Sequence, residues 1–146
     1  MQVESYLFFD GRCEEALEFY KAALGAEVLA LLRFKDNPEP HEPGCVPAGG
    51  ENKVMHCYFR IGDTMMMASD GQCTGQPGFQ GFALALTVPN KAEADRLFAA
   101  LSEGGQVQVP LGETFFSPRF GIIADRFGVS WMVVVPSPAD SKQGSS

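Results

Sequence analysis

Two apolar spacings alternate along the chain, and each marks an element. Val3–Phe9 is rich in Val, Tyr and Phe and reads as a strand that Asp10-Gly11 ends. From Cys13 to Leu24 the spacing changes to helical. Cys13, Ala16, Leu17, Tyr20, Ala23 and Leu24 form one stripe, and Glu14, Glu15, Glu18 and Lys21 lie outside it. The acids crowd the first turns, where the helix dipole favours them, and Gly25 suits a C-terminal cap. Glu27–Phe34 is a second strand. Lys35–Asn52 shows no periodicity, a length that marks a functional or disordered loop, either a lid or a dimer arm. Val54–Ile61 and Thr64–Ser69 then form a hairpin about Gly62-Asp63.

The second half repeats the order. Phe82–Val88 is a strand with Phe82, Leu84, Leu86 and Val88 on one side. Asn90 caps a helix with Glu93 three residues on, and Ala94, Leu97, Phe98 and Leu101 form its apolar stripe before Gly104-Gly105. Gln106–Val109, Phe120–Ala124 and Ser130–Val135 are strands, the last two joined by residues 125–128. The tail from Pro136 to Ser146 is too polar to order itself. The pattern is β-α-β-β-β twice, with module 1 at about 3–70 and module 2 at about 81–135. Glu15-Ala16-x-x-Phe19-Tyr20 echoes Glu93-Ala94-x-x-Leu97-Phe98, which points to an internal duplication. The fold class expected is α+β, a single domain over 1–135 in which two modules form a curved mixed sheet, helices outside and a cup inside.

The hairpin carries the candidate chemistry. A two-residue turn pairs Ile61 with Thr64, Arg60 with Met65, Tyr58 with Met67 and His56 with Ser69, and places the last six of these on one face. The opposite face, with Cys57, Phe59, Ile61, Met66 and Ala68, is made for packing under a helix. The first face mixes polar groups with soft methionines, as a ligand-binding surface does. Histidine is the side chain that changes charge nearest neutrality, so His56 is a candidate general base or ligand contact; the alternative is an imidazole bonded to Ser69 or to backbone. Glu113, beside Phe115 and Phe116, is a second candidate, and His56 with Glu113 would make an acid–base pair; the alternative is a solvated loop carboxylate. Tyr58, Met67, Ser69 and Phe116 are the expected ligand lining. Asp70 reads as a turn cap, Arg60 as a solvated charge, and Trp131 as a core residue under a helix.

Net charge bounds the partners. At −7 the chain lacks the basic surface that nucleic acid or an anionic membrane requires. It has no apolar run of membrane-spanning length and no signal-like start, so a cytoplasmic location is expected. Cys13, Cys45, Cys57 and Cys73 form no CxxC and read as reduced thiols, Cys57 as a small core residue.

The duplication, with YLFFDGRCEEALEFY, MMMASD, GETFF and DRFGVSWM, resembles the vicinal-oxygen-chelate superfamily of glyoxalases, bleomycin-resistance proteins and extradiol dioxygenases, and most closely its PhnB-like branch. The resemblance spans roughly Val3 to Val135. It implies a homodimer and, in metal-dependent members, four ligands from strands of the two modules. Those positions fall near Ser5, Met67, Ala83 and Met132, a set without a hard donor for a divalent cation, so no metal cofactor is expected. Some relatives are described as demethylubiquinone methyltransferases, but no strand-Gly-x-Gly-helix element is present to hold a nucleotide-like cofactor. Three functions stay open: a metal-free binder of a small, mostly apolar molecule; a metal-dependent lyase, isomerase or dioxygenase, or an acid–base enzyme using His56 and Glu113; and an interaction module whose cup is filled by its own side chains.

Overall fold

A computed structural model describes residues 1–36, 51–71 and 78–137. His41, Cys45 and Cys73, most of the long loop and most of the tail lie outside the described residues. The chain divides into two compact units, Met1–Gly78 and Phe79–Ser146.

The first unit holds β1 (Ser5–Phe8), α1 (Cys13–Leu24), β2 (Glu27–Arg33), a single 3-10 turn at Phe34–Asp36, β3 (Val54–Ile61) and β4 (Thr64–Ser69). Its sheet runs β1-β4-β3-β2, with β1 parallel to β4 and the other pairs antiparallel. The hairpin has the expected register: Ile61 opposite Thr64, Arg60 opposite Met65 and Tyr58 opposite Met67. Gly62 occupies its first loop position at φ 57°, which glycine adopts without steric cost. Cys57, Phe59, Met66 and Ala68 are buried, as are Ala16, Leu17 and Tyr20 of α1. Tyr20 stacks on Phe59 with ring centres 6.4 Å apart. Each of these two aromatic side chains contributes about 2–3 kcal/mol through burial.

α1 ends as its glycine foretells. Gly25 turns left-handed, its N–H reaches Lys21 O, and the next N–H, of Ala26, reaches Tyr20 O. Its start is less local. Arg12 at the N-cap offers no side-chain acceptor. The cap comes from Asp70, at the far end of β4. Its Oδ1 accepts from Gly11 N (3.1 Å) and Cys13 N (2.7 Å), and its Oδ2 accepts from Val54 N (2.6 Å). Asp10, at φ 54°, and Gly11 bend the chain toward it.

The second unit holds β5 (Leu84–Thr87), α2 (Lys91–Ser102), β6 (Gln106–Gly112), β7 (Arg119–Ala124) and β8 (Ser130–Val135), in the sheet order β5-β8-β7-β6. Asn90 caps α2, its side chain accepting from Glu93 N at 2.9 Å. Ala94, Leu97, Phe98 and Leu101 are the buried stripe, and Ile123, Trp131 and Val133 are buried in the sheet. A Cβ on Gly121 would lie 2.8 Å from Phe98, so glycine is what lets α2 approach β7. Asp125 is this unit's buried carboxylate. It accepts from Phe127 N (2.8 Å), Val129 N (3.1 Å) and Trp131 Nε1 (2.9 Å).

Several strand limits differ from the sequence reading. β1 starts at Ser5 and β5 at Leu84, because pairing begins only there, opposite Met66 and Trp131. β6 continues past Val109 through Pro110 to Gly112. It is an edge strand, where a residue without an N–H costs no ladder bond.

Candidate functional site

Each sheet has one side under its helix and one open side. In the first unit the open side is where polar chemistry collects. Parallel pairing sets Tyr6 of β1 beside Met67 of β4, and Tyr58 of β3 lies on Met67's other flank. The Tyr6 hydroxyl lies 2.9 Å from His56 Nδ1, and the two rings are 5.6 Å apart. Tyr58 meets His56 edge-on at 5.0 Å, and Phe8 lies 4.9 Å from Tyr6. Phe8 is 57% exposed and Tyr58 37% exposed, so the face presents aromatic surface to solvent. Met65 and Met67 are half-buried within it. Arg60, at the edge of the face, is ion-paired with Glu27 across the β2–β3 ladder.

Ser69 shares the side of Met67 and Phe8 but is covered, at 3% exposure. Its Oγ accepts from Gly71 N at 3.1 Å. Burial pushes the Tyr6 phenol above its ordinary pKa, and the neighbouring Ser69 hydroxyl pulls it partly back. On the helix side of the same sheet the Sγ atoms of Cys13 and Cys57 approach to 3.9 Å, both fully buried. Their hydrogen bond and then burial push the Cys13 thiol far up, and with both sulfurs sealed from solvent the pair is a core contact rather than a nucleophile.

The second unit's open side is blander. Ala85, Ile122, Met132, Val134 and Phe120 follow one another across β5, β8 and β7. Its polar contact is Ser130 Oγ donating to Gln108 Oε1 at 3.2 Å. Glu113 is exposed, just beyond β6. Of the two phenylalanines that follow it, Phe115 is fully exposed, and Phe116 packs edge-on against Phe120 at 5.0 Å. Trp131 lies under α2's side of the sheet, as its parity foretold.

The structure thus brings His56, Tyr58, Met67 and a covered Ser69 onto one face, and places Glu113 and Phe116 in the other unit. Tyr6 is the residue the sequence reading missed. Counting parity back from the buried Leu7 and Phe9 would have put Tyr6 on the open side, and Ser5, opposite the buried Met66, on the helix side. That correction touches the metal set. The β1 side chain facing Met67 is Tyr6, whose hydroxyl is already bonded to His56, and the remaining positions are Met67, Ala83 and Met132. Two thioethers and an alanine do not suit a divalent cation. Among the described residues no three of His, Cys, Asp and Glu gather around one point. A shallow depression of about 390 Å³ lies between Gln2–Ser5, at the start of β1, and Asp63–Met65 at the hairpin turn. It meets the His56 face only at Met65 and carries no aromatic side chain.

Two βαβββ units, each a four-stranded mixed sheet under one helix, define an α+β protein of the glyoxalase/bleomycin-resistance fold, in the vicinal-oxygen-chelate superfamily. Likeness of fold alone reaches the fosfomycin-resistance protein FosX of Listeria monocytogenes, at 10% identity, TM-score 0.63, and 96% coverage of both chains. The chain belongs to the PhnB-like family whose model, described as 3-demethylubiquinone-9 3-methyltransferase, matches residues 1–134. It is 32% identical to protein YjdN of Escherichia coli (strain K12) over 140 residues, 92% of this chain and 95% of YjdN. Among solved structures, PA1353 from Pseudomonas aeruginosa is 43% identical with TM-score 0.79, covering 93% of this chain and 98% of its own. A PhnB protein from Bacillus cereus is 28% identical with TM-score 0.75, covering 92% and 99%.

Proposed function

We propose that this PhnB-like protein binds a small, mostly apolar molecule without a metal, as a homodimer in the cytoplasm, and that the open face of the first sheet is where it binds. The observation that carries this reading is the Tyr6–His56 hydrogen bond set among Phe8, Tyr58 and Met67 on a solvent-facing surface. A buried polar pair would serve stability. A half-exposed one among aromatic rings offers orientation to an apolar guest. Second copies of the chain would cover the exposed sheet edges.

Acid–base chemistry is the second reading, and the same bond favours it, because a phenol and an imidazole in contact can pass a proton. It needs only Tyr6 and His56, both in the first unit. Methyl transfer has no support in these residues, since neither unit offers a parallel βαβ cofactor cradle.

A thermal-shift screen against a broad panel of small aromatic and aliphatic molecules tests binding, since a ligand held only by the folded state raises the midpoint. A rise that His56→Ala abolishes supports the site; no rise for any compound sinks the binding reading. Elemental analysis of protein purified without chelators tests the metal: about one divalent ion per chain would overturn that part.

A further inference from the structure

The first unit fixes more about its ligand than apolarity. The Tyr6 hydroxyl lies 2.9 Å from His56 Nδ1. A phenol O–H is a far more acidic donor than the N–H of a neutral imidazole, so the phenol donates and Nδ1 accepts. A neutral imidazole that accepts at Nδ1 carries its proton on Nε2. Among the described residues Nε2 has no hydrogen-bond partner, and the ring is half-exposed between Tyr6 and Tyr58.

We infer that the Tyr6 hydroxyl holds neutral His56 in the Nε2–H form, so that the open face recognises an aromatic or apolar molecule through an acceptor oxygen, a carbonyl being the simplest. The donor is one N–H on a ring that Tyr58 contacts edge-on. The nearest cation on that face, Arg60, is already paired with Glu27, so a neutral oxygen is favoured over a carboxylate. This rests on the small-molecule reading above for the ligand, but the tautomer does not depend on it.

Long-range nitrogen–proton NMR of histidine-labelled protein at pH 8.5 reads the tautomer directly. His56 and His41 are the two histidines, and His41→Gln leaves His56 as the one signal. The Nε2–H pattern is expected, and Tyr6→Phe should convert it to a tautomer mixture while the backbone spectrum stays folded. An Nδ1–H pattern in the unsubstituted protein, or an Nε2–H pattern unmoved by Tyr6→Phe, overturns the assignment. The ligand class is then read with two isosteres at matched sub-millimolar concentration. Acetophenone carries a carbonyl oxygen where α-methylstyrene carries a methylene. Acetophenone should shift the His56 Nε2 and Tyr58 signals at least fivefold more. Equal shifts overturn the acceptor-oxygen assignment. If neither compound moves any open-face signal while the Nε2–H pattern holds, the binding reading falls and takes the ligand assignment with it, but not the tautomer.

Discussion

The two units share a chain order, a strand order, a helix-side core and a methionine at the same place on the open face, Met67 and Met132, yet the side chains around that methionine differ. The first presents Tyr6, Phe8, His56 and Tyr58. The second presents Ala85, Thr87, Phe120 and Ile122 at the matching places. Under the helices the two are alike in kind: aromatic residues packed with small aliphatics, and one buried carboxylate serving three N–H groups. Packing constrains the helix side of a βαβββ unit because every methylene there is felt. The open side answers only to what it touches, so there two copies of one plan are free to take different tasks.

The largest expected effect tests the likeness. Asp70→Ala and Asp125→Ala each strand three donors, two or more of them deeply buried, and should each lower unfolding free energy by about 5 kcal/mol in urea titration. If Asp125→Ala cost under about 1 kcal/mol, the two cores would not be equivalent after all. The contrast between faces is sharpened by two adjacent residues of β3. Phe59→Ala, on the helix side, should cost about 4 kcal/mol. Tyr58→Ala, one residue away on the open side, should cost about 1 kcal/mol or less. Comparable losses would mean that the open face is structural.

Smaller effects separate the two helix-to-strand links. A Cβ on Gly105 would sit 2.3 Å from the Ala124 carbonyl oxygen, so Gly105→Ala should cost about 3 kcal/mol by steric conflict. Gly25 has open space around it and φ 69°, so Gly25→Ala should cost only about 1 kcal/mol, through backbone strain. The smallest effect belongs to Tyr6. Burial raises its folded pKa above the unfolded value of about 10. The stability it contributes is therefore complete below about pH 10 and lost as pH rises through the folded value. Urea titrations from pH 8 to 11 should show a steeper alkaline loss in the unsubstituted protein than in Tyr6→Phe; parallel curves would show that the phenol is not held protonated by the fold.

Much of the fold was legible because its signals are local. α1 over Cys13–Leu24, the buried stripe of α2, the hairpin register and the limits of β8 all follow from spacing within ten or twenty residues. What was not legible depends on partners far along the chain. Tyr6 was passed over because the face of a short strand is set by its parallel partner, β4, some sixty residues on. Asp70 looked like a turn residue because its donors lie at Gly11, Cys13 and Val54. Of the site, His56, Tyr58 and Met67 could be placed together since one hairpin holds them all. Glu113 could not be judged, because the exposure of a loop carboxylate is not written in its neighbours.

The Asp70 cap also sets an order of events during synthesis. α2 carries its own start signal in Asn90, so its cap is in hand as soon as the helix itself has emerged. α1 is twelve residues long, too short to persist alone in water, and the acceptor for its first N–H groups is 57 residues further along. Until residue 70 has emerged, the first helix has no anchored beginning. The N-terminal half must therefore wait, unfinished, for its own last strand, and its docking reports that the hairpin is complete.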